Sequence, residues 1–267
     1  MTTRAQQPSV FQVTRLPFNT GFYSEISPVI ANDGIIFCSD RRTTGLKSRK
    51  TFEDRRLYNL FIIERKDTSG WRRPEEIRSE RSFLFNSGPL CFSPDRKTVY
   101  FTSEVETGKM TKKKKFVNHS GIFIADLNGT ILSSVRAFPY NSIQYEVGHP
   151  SISEDGKYMF FASDMPGGQG GSDLYYCEWV NGQWNAPVNL GPNVNSQASE
   201  GFPFMHPSGR LYFSSNRPGG MGRMDVYYTM LTLGKWDSPS LLPEPINSAS
   251  DDFAFVADEN LQKGYFA

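Results

Sequence analysis

The sequence predicts an all-β protein, a β-propeller of four-stranded antiparallel blades, and three observations carry that prediction. A Trp-x-x-Pro frame recurs as Trp71/Pro74, Trp184/Pro187 and Trp236/Pro239, with steps of 113 and 52 residues between the tryptophans. A second frame opens each unit with a proline, at Pro28, Pro89, Pro150 and Pro203, spaced 61, 61 and 53. Between these markers lie short alternating runs separated by turn residues, with no long 3.6-periodic stretch. Four short strands per repeat of this length describe a propeller blade.

Each unit reads the same way. Strand A follows the proline (29–30, 90–92, 151–152, 204–205), and a tight DG, PD or SG turn leads to strand B (35–39, 98–103, 157–163, 210–215). After a long B–C loop comes an aromatic strand C (57–64, 121–126, 174–180, 226–231). A hairpin turn such as NGQ or NGT then gives strand D, which ends near Ile77, Val135, Leu190 or Leu242. The chain is expected to be one domain, 1–267, with blades at about 23–80, 85–138, 146–192 and 200–244. Residues 10–16 match the end of a strand D and are expected to complete a fifth, closing blade begun by 252–267. That blade lacks a strand C, so the chain reads as part of a longer protein.

Composition agrees with a packed β domain. Among 267 residues, 38% are hydrophobic, with 21 Phe and 12 Tyr to fill a core. No apolar run reaches the roughly 18 residues of a membrane helix, and MTTRAQQ lacks the apolar stretch of a signal peptide. Cys38, Cys91 and Cys177 lie in apolar runs without a CxxC partner, which reads as small buried hydrophobes.

No catalytic constellation is legible. GxSxG and HExxH are absent, and His119, His149 and His206 are far apart in sequence, so no zinc set forms. The chain is expected to be non-enzymatic, with no cofactor or metal. The loops PGGQGG and PGGMG lack the Lys-Ser/Thr and helix of a phosphate cradle. Asp173 and Asp225 follow them at the same offset and are expected to hold the loops through backbone N–H groups. Trp71, Trp184 and Trp236 are expected to pack between blades.

The crossings from strand D to the next strand A repeat Asn-[Ser/Thr] with an acid five or six residues on: Glu25, Glu146, Glu200 and Asp252. Such acids can ring the channel mouth and bind a cation or basic partner, or each can satisfy local backbone donors. Repetition at successive crossings favours the local role. Charge adds a second candidate face. Residues 1–133 carry a balance of +8, residues 134–267 one of −7. The excess concentrates in two long B–C loops, one with Arg41, Arg42, Lys47, Arg49, Lys50, Arg55 and Arg56, the other with Lys112, Lys113, Lys114 and Lys115. They read either as solvated insertions or as a docking rim for an acidic partner. No nucleic-acid recognition fold accompanies them, so nucleic acid is not expected as a partner.

The stretches SEDGKYMFFASDMPGGQGGSDLYY and HPSGRLYFSSNRPGGMGRMDVYY, with QWNAPVNL and KWDSPSLL after them, resemble the WD40-like, TolB-type propeller repeat. They are more closely similar to the propeller of OmpA-family envelope proteins of Bacteroidetes, the PorE-like group of type IX secretion. The resemblance spans nearly the whole chain, sharp in units 3 and 4 and degraded in units 1 and 2. It implies an outer-membrane-associated periplasmic scaffold that binds envelope proteins and meets the membrane only indirectly. A small-ligand or carbohydrate-binding propeller and the propeller domain of a hydrolase are the alternatives, because one fold hosts many functions.

Overall fold

The computed structural model describes residues 11–42, 56–66, 70–79, 87–105 and 119–267, and among these residues there is no helix. The chain forms a β-propeller. Blade 1 holds β1 (Glu25–Ile30), β2 (Gly34–Ser39), β3 (Asn59–Lys66), β4 (Gly70–Trp71) and β5 (Glu75–Glu76). After β6 (Arg78–Ser79), blade 2 holds β7 (Ser87–Phe92), β8 (Thr98–Glu104), β9 (Ser120–Asn128) and β10 (Ile131–Ala137). Blade 3 runs through β11 (Val147–Ile152), β12 (Tyr158–Ser163), β13 (Asp173–Val180), β14 (Gln183–Trp184) and β15 (Val188–Asn189). Blade 4 has β16 (Glu200–Met205), β17 (Arg210–Ser215), β18 (Asp225–Thr232), β19 (Lys235–Trp236) and β20 (Ser240–Leu241). A two-stranded sheet, β21 (Val256–Ala257) and β22 (Gly264–Tyr265), follows. The first three strands of every blade pair antiparallel in chain order.

Strand D departs from a simple fourth strand, for a chemical reason. In blades 1, 3 and 4 it is split into two-residue pieces around Pro74, Pro187 and Pro239, because proline has no N–H to donate to the ladder. Blade 2 has no proline there, and β10 runs unbroken for seven residues apart from one bulge. β6 leaves blade 1 and pairs parallel to β10, so the outer edge of blade 2 is covered by the chain from its neighbour.

The innermost strands share one irregularity. Ser27, Gly88, His149, Phe202 and Ala254 all have positive φ, between 51° and 105°. In β1, β7, β11 and β16 the register shifts across this position, which marks a bulge that turns the strand toward the axis. Ala254 places the same turn just before β21.

The core lies between blades. Trp184 packs with Tyr100, Ile122 and Phe138 of blade 2 and with Met159 and Phe161 of its own blade. Trp236 meets Phe160 of blade 3 edge-on at 6.0 Å. Trp71 meets Phe18, at 5.2 Å, in the segment before β1. Trp184 and Trp236 thus lie between adjacent blades, while Trp71 lies between blade 1 and the Leu16–Phe18 segment. Residues 11–16 form no strand, while Leu16 and Phe18 pack on Ile35, Phe37, Phe61 and Ile63 of blade 1, with Tyr265 of β22 alongside. β21 lies beside β1 on one side, and Phe255 packs on Tyr212 of blade 4 on the other.

Candidate functional site

The B–C loops of blades 3 and 4 lie against the strand-D-to-A crossings that follow those blades, and most polar groups of the crossings are bound up locally. Asn195 clamps strand C: its Oδ1 accepts the N–H of Leu174 at 2.8 Å, and its Nδ2 donates to the same residue's C=O at 3.0 Å. Asn247 does this to Val226 and Asn141 to Ile122, at 2.7–2.9 Å. The acid downstream closes the turn. Glu200 accepts from the N–H and hydroxyl of Ser196, and Asp252 from those of Ser248.

Two arginines complete this clasp. Arg217 lies over the rings of Phe213 and Tyr227 and donates to Glu200 at 3.0 Å and to the Val194 carbonyl at 2.6 Å. Arg41 repeats the arrangement in blade 1, over Phe37 and Phe61, with Glu25 at 2.8 Å. Burial pushes the Glu25 carboxyl above its usual range, and Arg41 opposes that shift.

At Glu200 and Asp252, and at Glu25 with Arg41 as its counter-charge, these contacts are the local role favoured for the acids, because a buried carboxylate must find donors or a counter-charge. Only Arg41, expected in the accessible basic rim, is corrected: it folds back on Glu25. Glu146 is exposed, as is Arg42, and Arg56 is half-buried over the Tyr23 ring at 5.5 Å. Lys47, Arg49, Lys50, Arg55, Lys112, Lys113, Lys114 and Lys115 lie outside the described residues.

The glycine loops are built as expected. Asp173, fully buried, accepts from the backbone of Gln169 at 2.6 Å and Gly170 at 3.1 Å and from the Asn189 amide at 2.7 Å. Asp225 accepts from Met221 and Gly222 at 3.0–3.2 Å. Each loop then lies against the next crossing, with Gly171 donating to Ala198 and Glu200 to Ser172, both at 2.7 Å. A Cβ on Gly170 would overlap the carbonyl oxygens of Ser196 and Ala198, so glycine is required there by close backbone approach.

Two features escaped the sequence reading. Phe22 is 89% exposed and Ile143 63% exposed, on the crossings into blades 1 and 3. A cavity of about 560 Å³ occupies the opposite half of the channel, near the A–B turns, lined by Ile30, Pro94, Arg96, Ile152, Glu154 and Met205 among others. Single apolar residues in a polar turn, and a cavity assembled from residues far apart in sequence, leave no local pattern to read.

The cavity wall includes a buried imidazole. The His149 ring is enclosed although the residue keeps some surface; it stacks on Phe202 at 4.0 Å, and its Nδ1 accepts the Phe202 N–H at 3.2 Å. That bond leaves the proton on Nε2, and burial pushes the pKa down from 6.5 to about 4. Between these values the unfolded chain binds a proton that the folded one does not. Stability is therefore expected to be complete above pH 6.5 and to fall as the pH drops toward 4, by at most about 3 kcal/mol. Denaturant titrations of the wild type and His149→Asn across pH 4–7 check this, and equal slopes for both would reject it. The thiols of Cys38 and Cys177 are pushed up to about 12 and that of Cys91 higher still, all by burial, which leaves them in the protonated form expected of core residues.

No protein-family profile and no curated protein matches the sequence. Solved structures do. A putative TolB from Agrobacterium tumefaciens superposes with a TM-score of 0.55 at 16% identity, covering 91% of this chain and 69% of that one. A puromycin-hydrolyzing peptidase from Mycobacterium tuberculosis gives 0.50 at 13%, over 87% of this chain and 42% of that one. TolB from Acinetobacter baumannii gives 0.45 at 18%, and this chain spans 42% of its length. The superposition on the Agrobacterium protein establishes a TolB-like propeller fold and nothing about activity.

Proposed function

We propose that the protein is a non-enzymatic interaction propeller of the bacterial envelope, periplasmic and associated with the outer membrane, serving a scaffold or secretion assembly. Its crossing face binds an acidic protein partner. The exposure of Phe22 and Ile143 carries this reading. Apart from Glu146, the acids of the crossings are occupied by their own turns, so what remains for a partner is chiefly the apolar anchors Phe22 and Ile143, with Arg42 exposed and Arg56 over Tyr23, the residue after Phe22. Aromatic and arginine side chains are the residues that carry most interface energy. The basic balance of residues 1–133 adds steering toward an acidic surface.

Pull-down from the native envelope, followed by binding isotherms with the captured protein, tests the reading. Phe22→Ser and Ile143→Ser are each expected to weaken binding about tenfold, and association is expected to slow as salt rises past about 0.15 M. Binding unchanged in both variants and indifferent to salt rejects the proposed face. A second reading, a small ligand in the channel, rests on the 560 Å³ cavity. Binding that survives both variants but is lost in Ile30→Trp places the function there instead.

A further inference from the structure

We infer that the channel cavity takes a zwitterion of the α-amino-acid type, its charged head at the mouth among the A–B turns and its apolar body inside. This inference rests on the second reading above, in which the channel holds a small ligand. It is independent of the crossing face.

The wall of the cavity is apolar and its inner end carries no charge. In four blades a proline follows the positive-φ residue, and Pro28, Pro89, Pro150 and Pro203 all line the wall. Proline has no N–H, so these positions offer contact without a donor. At the inner end the Ser27 hydroxyl is buried with no hydrogen-bond partner among the described residues, with only the Cys38 thiol near it. The His149 Nε2–H has no partner among them either. A volume of about 560 Å³ suits a ligand with an apolar body and, at its tip, an uncharged acceptor.

Charge is confined to the mouth, where opposite charges stand side by side without pairing. Arg96 donates from one Nη to the Ile30 carbonyl at 2.7 Å and lies over the Phe92 ring at 4.4 Å, across the seam of blades 1 and 2. Its other guanidinium donors have no partner among the described residues. Glu154 of blade 3 and Glu259 of the β21–β22 turn line the same mouth, both exposed and both unpartnered among those residues. The other acids of these turns are taken. Asp95 accepts from the Ser93 hydroxyl and the Lys97 N–H, Asp155 from the Ser153 hydroxyl and the Lys157 N–H, and Asp258 from the N–H groups of Gln262 and Lys263. The turns of blades 2 and 3 touch, since a Cβ on Gly156 would stand 3.1 Å from the Pro94 ring. A free guanidinium and a free carboxylate in touching turns match a carboxylate and an ammonium carried on one carbon.

The backbone of Arg96 argues the same way. Its N–H closes the turn on the Ser93 carbonyl, as Gly156 does on Ser153 and Gly209 on His206. The three have φ of 56°, 71° and 85°, a region that glycine occupies freely and arginine does not. Leu261 holds this place in the last turn and is repaid by packing on the core of blade 4. Arg96 is exposed, and what its strained backbone secures is a cation across the channel mouth.

O-Benzyl-L-tyrosine, an α-amino acid with a long apolar body and an ether acceptor, tests the inference by calorimetry on the whole chain. It is expected to bind one-to-one. Its methyl ester and its N-acetyl derivative, each lacking one charge, are expected to bind about tenfold more weakly, and L-alanine, a head without a body, not at all. Arg96→Gly, which installs the residue of the sister turns, is expected to keep the thermal midpoint and to bind the acid and the ester equally weakly. The double variant Glu154→Gln, Glu259→Gln is expected to erase the preference for the free amine over the N-acetyl form. Ile30→Trp, which fills the channel, is expected to lose the probe. Binding lost in Ile30→Trp but indifferent to esterification and to Arg96→Gly overturns the inference and leaves the channel reading standing, whereas binding that persists in Ile30→Trp overturns both. Absence of binding overturns the inference as well. So does a lowered midpoint in Arg96→Gly with the acid still preferred to the ester, because Arg96 would then be only a bridge to Ile30.

Discussion

Trp184→Ala is expected to destabilise the protein by about 3–5 kcal/mol, the loss seen when a large aromatic leaves a cavity in a packed core. The indole is 5% exposed and lies edge-on to Tyr100 at 6.1 Å and to Trp179 at 4.9 Å. Its neighbours belong to two blades: Ile122, Ile124 and Phe138 on one side, Met159 and Phe161 on the other. Neither blade can collapse into the void without losing its own register, so little of the cost is recovered by relaxation. For a domain of this size the melting temperature is expected to fall by on the order of 10 °C. Thermal unfolding of Trp184→Ala beside Trp179→Ala, which removes a 43% exposed indole, separates inter-blade packing from aromatic content. Equal midpoints for the two variants would contradict the packing account.

Glu200→Ala is expected to cost a similar amount, about 3–5 kcal/mol, by a different mechanism. The carboxylate is fully buried and accepts four bonds, from the N–H and hydroxyl of Ser196, from Ser215 at 2.8 Å and from Arg217 at 3.0 Å. Removing it leaves the Arg217 guanidinium without its counter-charge, with the Val194 carbonyl, the Ser215 hydroxyl and two aromatic faces as its remaining partners. Glu146→Ala, at the same repeat position but exposed, is expected to change stability by less than about 0.5 kcal/mol. Denaturant unfolding of both variants checks the contrast. Comparable losses at the two sites would mean that the clasp contributes nothing at Glu200.

The repeat made most of this fold legible, because each blade must present the same alternating faces to its neighbours. Asp173 and Asp225 were readable for that reason: two carboxylates at one offset from PGG imply one local task. Arg41 was not. An arginine in a basic loop has the same composition whether it faces solvent or folds back on Glu25. The one clue was the shared Ser-x-Arg spacing of Ser39–Arg41 and Ser215–Arg217, since each serine hydroxyl accepts the N–H and Nε of its arginine. Glu146 differs from Glu200 for a similar reason. Blade 3 has Met165 where blade 4 has Arg217, so no counter-charge draws the acid inward. The crossing of β6 onto blade 2 could not be read either, because a two-residue pairing carries no periodicity.

The claim that the crossing face, rather than the channel, meets the partner is tested most directly by amide hydrogen exchange on the partner-bound protein. Protection is expected to rise over 20–24 and 142–146, around Phe22 and Ile143, while the A–B turns at 31–33, 153–157 and 206–209 exchange as in the free protein. Protection confined to those turns, with the two crossings unchanged, would contradict the account.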